Sequence, residues 1–371
     1  MTAININNKN GIVNLGSTCF LNTGLQCLNA SSILRDALAA HHAEDIHIIT
    51  ELTRTTHDTS KERTKRIDNM NLYIAFKKII IELHTSSKPI IPREFINFGR
   101  TYSKYMGVDY LFSGQQCDIQ EFITFILDAI HENKARHAEI SITPKEPTTL
   151  EDKIKTEGFH TFKRHFGEKY SWVVKHFFYL IVCLIKCVKC GYISFSYDPS
   201  NILCLPIPEI KTSSTSSSIT IYDCLDHYFG KEYLLDSATW KCDKCTNKLG
   251  NYKEYRLLNT PSILIIVLKR HSFNGSKWQK NSTIIQFPII LNISAYKLGS
   301  EKNNCNYRLF AVANHIGNMG SGHYYAYCCD TDDPAKPWYE FNDERVSHIS
   351  EESIYTANSY MLFYQAIPDV S

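Results

Sequence analysis

Cys19 stands in the stretch NLGSTCFLN, directly behind a Gly16-Ser17-Thr18 turn and directly ahead of Leu21, Leu25, Leu28, Leu34 and Leu38, which are spaced as one buried helical stripe. A thiol at a helix start meets unpaired N–H groups and the positive end of the helix dipole. Both favour its ionised form, so Cys19 reads as a nucleophile made ready for attack. The competing reading is a small buried residue beside a Ser17 or Thr18 cap.

A thiol nucleophile needs a base, and the chain holds 15 histidines. His323 is set apart by its surroundings, GSGHYYAYCCD, where glycines leave room around the ring and the following residues alternate as a strand. The next strand reads WYEFND. Antiparallel pairing about a turn centred between Asp332 and Asp333 places His323 opposite Asn342. An amide oxygen there would accept the imidazole N–H and fix the ring, the third role in a Cys-His-Asn arrangement.

Two further cysteine pairs, Cys187/Cys190 and Cys242/Cys245, each have a two-residue gap that lets both sulfurs reach one ion. Together they supply four thiolates, enough for a closed tetrahedral zinc site with no open position for water, and therefore structural. A redox role would need a helix N-terminus, whereas the surroundings read as strands. The pairs are far apart in sequence, so the ion would tie two hairpins of one sheet. Of the remaining cysteines, Cys183, Cys204, Cys328 and Cys329 read as core or strand residues.

The elements that must position these groups are helices first and strands later. A charged stretch, THDTSKERTKRIDNMN, reads as a surface loop, and LYIAFKKIIIELH after it as a helix. Ile119, Phe122, Ile123, Ile126 and Ile130 mark a strongly patterned helix, with Asp118 and Glu121 at its start arranged much like a capping box. From about Trp172 the chain reads as strands, with a flexible Ser-rich loop tip at 211–218. With 371 residues, 43% of them hydrophobic, the chain can bury a large core, and no linker or repeat divides it.

Lysine and arginine total 40 against 38 acidic residues, so no overall field draws the chain to nucleic acid or an anionic membrane. The N-terminus lacks a signal-peptide core and the apolar runs are too short to span a bilayer. A monomer inside the cell, in cytoplasm or nucleus, is expected.

On these residues the chain resembles the ubiquitin-specific proteases of the papain-like cysteine protease superfamily. GIVNLGSTCFLNTGLQCL resembles the family's cysteine box, QCDIQEF its glutamine/aspartate box, and GSGHYYAYCCD with WYEFNDERV its histidine box. The paired cysteines resemble its zinc-bearing fingers, and CLDHYFGKEYL, PSILIIVLKRH and SYMLFYQ match further blocks, in order from Gly11 to Gln365.

The resemblance implies an α+β papain-like fold in a single catalytic domain, 1–371. Within it lie a helical thumb (about 11–170), zinc-bearing β fingers (about 171–260) and a β-rich palm (about 261–366). It implies ubiquitin and ubiquitinated proteins as partners, and thiol hydrolysis of the peptide or isopeptide bond after ubiquitin's terminal glycine. Cys19 would be the nucleophile, His323 the base and then acid, and Asn342 the orienting residue, with Asp343 a second candidate. Asn14 would donate to the oxyanion.

Asp118, Glu121 and Tyr324 would contact the substrate's basic tail. Ser17 stands where many members carry Asn, and Gly24 inside the first helix should cost about 1 kcal/mol relative to alanine. The alternatives are a catalytically silent ubiquitin-binding scaffold, a protease for a ubiquitin-like modifier and, least in keeping with the charge balance, a zinc module on nucleic acid.

Overall fold

The structure, a computed structural model, describes residues 9–40, 45, 60–142, 147–209, 218–235, 240–273, 275–299, 305–318 and 321–368. It is of mixed helix and sheet and falls into two units, each built from several stretches of the chain.

The first unit comprises Met1–Ala135, Arg270–Ile284 and Leu309–Phe363. Its centre is the helix Cys19–Asn29, in which every residue is buried. The expected single stripe is therefore a correction: the leucines face one way, while Asn22 and Gln26 on the other side are equally buried and are spent on backbone carbonyls. Asn22 Nδ2 donates to Ile12 O at 3.2 Å and Gln26 Nε2 to Asn10 O at 2.8 Å. The helix packs against the helix Ile119–Lys134 and the strand Ser321–Cys329.

Gly24 lets the first of these contacts form. A Cβ there would lie 2.6 Å from Phe122 Cδ1, so the helix-weakening glycine permits a close crossing. Phe20 meets Phe122 edge-on at 6.2 Å, and Phe95 meets Phe122 in the same way, also at 6.2 Å.

The charged stretch after residue 60 is helical, again a correction. Ser60 accepts from Arg63 N and opens a helix, Lys61–Thr85, that runs without a break into the apolar segment. Lys, Glu and Arg are good helix formers, so the missing apolar residues mark a solvated first stretch of helix and not a loop. Five strands lying wholly or mostly in this unit stand in the order Arg345–Ile349, Trp338–Asn342, Ser321–Cys329, Asn306–Asn318, Ser359–Ala366, and His271–Phe273 pairs separately with Trp278–Lys280.

The second unit comprises Arg136–Lys269, Ile285–Arg308 and Tyr364–Ser371. A four-stranded antiparallel sheet, in the order Ile193–Ser200, Tyr179–Lys186, Asn251–Leu257, Glu232–Leu234, carries the helix Leu150–Phe166. Ile154 of that helix is buried with Leu180, Val182, Leu184 and Leu258.

Among the described residues two α-helices interrupt the expected run of strands, Trp172–Phe177 and Ile221–Phe229. The second is opened by a reciprocal capping box between Thr220 and Asp223, a polar pair that overrides the β-branched residues beside it. The Ser-rich loop tip expected at 211–218 lies, except for Ser218, outside the described residues. Among the described residues no helix is long and apolar enough to cross a membrane.

Candidate active site and metal centre

Cys19 is 4% exposed, at the end of the buried helix. Gly16 and Ser17 both take left-handed backbone, with φ of 97° and 53°, and turn the chain sharply into the helix. Thr18 does not cap with its side chain. Its hydroxyl instead accepts from Leu15 N at 3.0 Å and donates to Asn14 Oδ1 at 3.1 Å. The N–H groups of Cys19 and Phe20 thus remain directed at the thiol, joined by the N–H of Tyr324.

Burial nonetheless dominates. It pushes the Cys19 thiol above its ordinary range, the Asp343 carboxylate adds to the rise, and the three N–H groups offset it only in part. The expectation that a thiol at this helix start ionises more readily than a free one is corrected here, because desolvation of a charged sulfur outweighs the N–H groups directed at it.

His323 Nε2 lies 2.8 Å from Asn342 Oδ1. The amide oxygen accepts, so Nε2 carries a proton, and in a neutral ring Nδ1 is the acceptor. The hairpin register differs from the expected one: Ala326 pairs with Phe341 and Cys329 with Trp338, which shifts the partner of His323 two residues beyond Asn342. The longer turn closes between Asp330 N and Pro337 O. Side chains alternate with a period of two, so this slip keeps both residues on one face and they meet diagonally.

Asn14 and Asp343 belong to one network. Asn14 Oδ1 accepts from Gly16 N at 3.0 Å and Thr18 N at 3.2 Å, and Nδ2 donates to Asp343 Oδ2 at 3.0 Å. Asn22 Nδ2 donates to the other carboxylate oxygen at 2.8 Å. Asp343, itself in left-handed backbone at φ 52°, also accepts Ile12 N on its carbonyl. It thus braces the loop and helix that carry Cys19, while Asn342 holds the imidazole.

Asp118 caps its helix through Gln120 N at 2.7 Å, and its second oxygen accepts the Tyr360 hydroxyl at 2.7 Å. Glu121 does not complete a capping box; it is exposed and bonds the Tyr110 hydroxyl. The Tyr324 side chain is buried, its ring 4.4 Å from that of His315.

Sequence reasoning missed Asn22 and Gln116. Asn22, Gln26 and Asn29 recur at steps of four and three on the side of the helix away from the leucines, and that second stripe could have revealed a polar buried face. Gln116 lay within a quoted motif but had no assigned task; its carboxamide clasps Gly322, the neighbour of His323.

The cysteine pairs occupy the same end of the antiparallel sheet in the second unit. Cys187 and Cys190 lie in the turn after Tyr179–Lys186, and Cys242 and Cys245 lie between Glu232–Leu234 and Asn251–Leu257. Their four sulfurs lie within 4.8 Å of one another, with Cys187–Cys245 and Cys190–Cys242 each at 3.6 Å. Thiolates about 2.3 Å from a tetrahedral zinc stand roughly 3.8 Å apart, so the donor set fits that ion.

The two turns repeat each other. Gly191 N donates to Cys187 O and Thr246 N to Cys242 O, both at 2.9 Å, and Gly191 and Thr246 share left-handed backbone at φ 72° and 60°.

The family profile described as ubiquitin carboxyl-terminal hydrolase matches residues 10–364. Ubiquitin carboxyl-terminal hydrolase Usp2 of Drosophila melanogaster is 30% identical over 367 residues, covering 96% of this chain and 34% of the fly protein. Ubiquitin carboxyl-terminal hydrolase 2 of Homo sapiens is 30% identical over 363 residues, covering 96% of this chain and 54% of the human protein. The chain thus spans a third to about half the length of these relatives. In fold it is similar to the solved SAGA Ubp8/Sgf11/Sus1/Sgf73 DUB module bound to ubiquitin aldehyde, with a TM-score of 0.70 and 23% identity over 99% of this chain and 72% of that one.

Proposed function

The chain belongs to the ubiquitin carboxyl-terminal hydrolase family, and on that premise we propose that it hydrolyses the peptide or isopeptide bond after the C-terminal glycine of ubiquitin. The observation that carries the reading is the His323–Asn342 contact on the strand against which the Cys19 helix packs.

Cys19 Sγ attacks the glycine carbonyl as its proton passes to His323 Nδ1, the step that a buried, un-ionised thiol requires. Asn342 holds the imidazolium through Nε2–H. A carboxamide nitrogen carries two hydrogens, so Asn14 Nδ2 can keep its bond to Asp343 and still donate to the oxyanion. His323 returns the proton to the leaving amine, and water activated by the same imidazole clears the thioester. The exposed Glu121 and the Asp118 carboxylate supply negative charge for a basic tail, and Tyr324 works through its N–H at the thiol.

Cys187, Cys190, Cys242 and Cys245 would hold one structural zinc ion, which supplies a cross-link between two hairpins and no chemistry at the thiol.

The test is release of fluorophore from a ubiquitin C-terminal amide. Turnover by the wild-type chain and none by Cys19→Ala supports the reading. Tight ubiquitin binding without turnover would instead mark a silent scaffold, and turnover confined to a ubiquitin-like amide would move the substrate to that modifier.

A further inference from the structure

Gln116 and Gly322 are 206 positions apart, yet they exchange two hydrogen bonds at a partly exposed site: Gly322 N donates to Gln116 Oε1 at 2.6 Å, and Gln116 Nε2 donates to Gly322 O at 2.9 Å. This is how one peptide group pairs with a residue on a strand edge. Along Ser321–Cys329, alternate residues turn their N–H and C=O groups to the same edge. On that edge Ala326 and Cys328 face the strand Trp338–Asn342, which ends before it reaches Tyr324. Tyr324 N–H points at the Cys19 thiol instead, and Gly322 meets Gln116. An extended chain whose last carbonyl lies at Cys19 would run along this same open edge.

We propose that Gly322 offers this edge to the extended main chain of the substrate's tail, and that the Gln116 carboxamide occupies it as a latch until the tail displaces it. The inference rests on the functional reading above and adds a competition to it. The edge also has to be glycine: a Cβ at Gly322 would lie 2.2 Å from His315 Nε2, so the main chain is all that residue 322 can present. His315 is 6% exposed and stays neutral, held down to about 4 by burial and the charges of Lys280, His271 and His323, so it packs there as a fixed wall. Gln116 itself is exposed, as a displaceable group must be.

Two solvent-accessible hydrogen bonds compete with substrate by about three- to tenfold. Gln116→Ala should therefore lower KM for the fluorogenic ubiquitin amide by that factor and leave kcat unchanged, as well as the pH profile of Cys19 alkylation by iodoacetamide. Gln116→Glu, which can accept from Gly322 N–H but cannot donate to its carbonyl, should fall between wild type and alanine.

A raised KM would make Gln116 a substrate ligand, and a lowered kcat with a shifted alkylation profile would make it a positioning residue for His323. Either outcome, or unchanged constants in a wild-type enzyme that cleaves the amide, overturns the latch. A wild-type chain that cleaves no ubiquitin amide overturns the functional reading first and the latch with it.

Discussion

Cys19 and the four-cysteine cluster use one side chain in opposite surroundings. Cys19 is a single buried sulfur at the end of a fully buried helix, and burial favours its protonated form. The other four sulfurs converge within 4.8 Å of one another in turns at the end of a sheet, a donor set that could hold one ion. A thiol becomes a nucleophile or a ligand according to how many of its kind the backbone brings together and what lies beside it. The pairs repeat one turn twice, with the Asn247 carboxamide donating to Cys187 Sγ and Leu249 O, whereas the Asn14–Asp343–Asn22 brace around Cys19 is centred on a carboxylate.

The contrast breaks most readily at its catalytic side. Cys19→Ala and His323→Ala should each cut kcat/KM by at least about 10⁴-fold with the melting temperature almost unmoved, whereas Asn342→Asp should stay within about tenfold of wild type because either side chain accepts the Nε2 proton. A large activity loss in Asn342→Asp, equal to that of His323→Ala, would show that the 2.8 Å contact needs a neutral acceptor.

The metal side should fail in the opposite way. Protein purified without chelator should carry one zinc per chain, and Cys242→Ser should lose it and melt at least about 5 °C lower, activity falling only as the fold does. A metal-free wild type, or a Cys242→Ser variant as stable as the parent, would dissolve the distinction.

Gly24→Ala tests the packing behind the nucleophile. Helix propensity alone favours alanine by about 1 kcal/mol, but the 2.6 Å approach to Phe122 should reverse the sign and destabilise by roughly 1–3 kcal/mol. Denaturant midpoints decide which term wins.

A finer test concerns protonation. In His323→Ala, the midpoint of the pH profile for alkylation of Cys19 should lie above about 8.5, the midpoint of a free cysteine, because burial raises the thiol. A midpoint at lower pH would mean that the helix start outweighs burial. The smallest effect is expected at Thr246→Gly, which relieves left-handed strain in one knuckle and should change stability by less than about 1 kcal/mol, in the stabilising direction.

What could be read in the sequence was whatever depends on periodicity and local spacing. The patterned helix from Ile119, the start of the Cys19 helix and the two cysteine pairs follow from such rules. The meeting of His323 and Asn342 was reached through a register two residues off, and it survived because a slip of two preserves the face of a strand. A slip of one would have lost it.

What the sequence hid depends on distance or on balance. The partners of Asp343 lie more than three hundred positions away, beyond any local pattern. The helical state of Lys61–Thr85 turned on a serine cap and on helix-forming charges, in a stretch where polarity suggested a loop. The protonation of Cys19 is a contest between a dipole visible in the sequence and a burial that is not.

The Asp343 brace has a consequence in time. Asn14 and Asn22 leave the ribosome some three hundred residues before the carboxylate that holds them, and His323 and Asn342 are only slightly ahead of it. At roughly 5–20 residues per second, the nucleophile's helix spends tens of seconds without its brace or its base. The Cys19 helix therefore waits for its surroundings until the hairpin carrying Asn342 and Asp343 closes on residues made long before it.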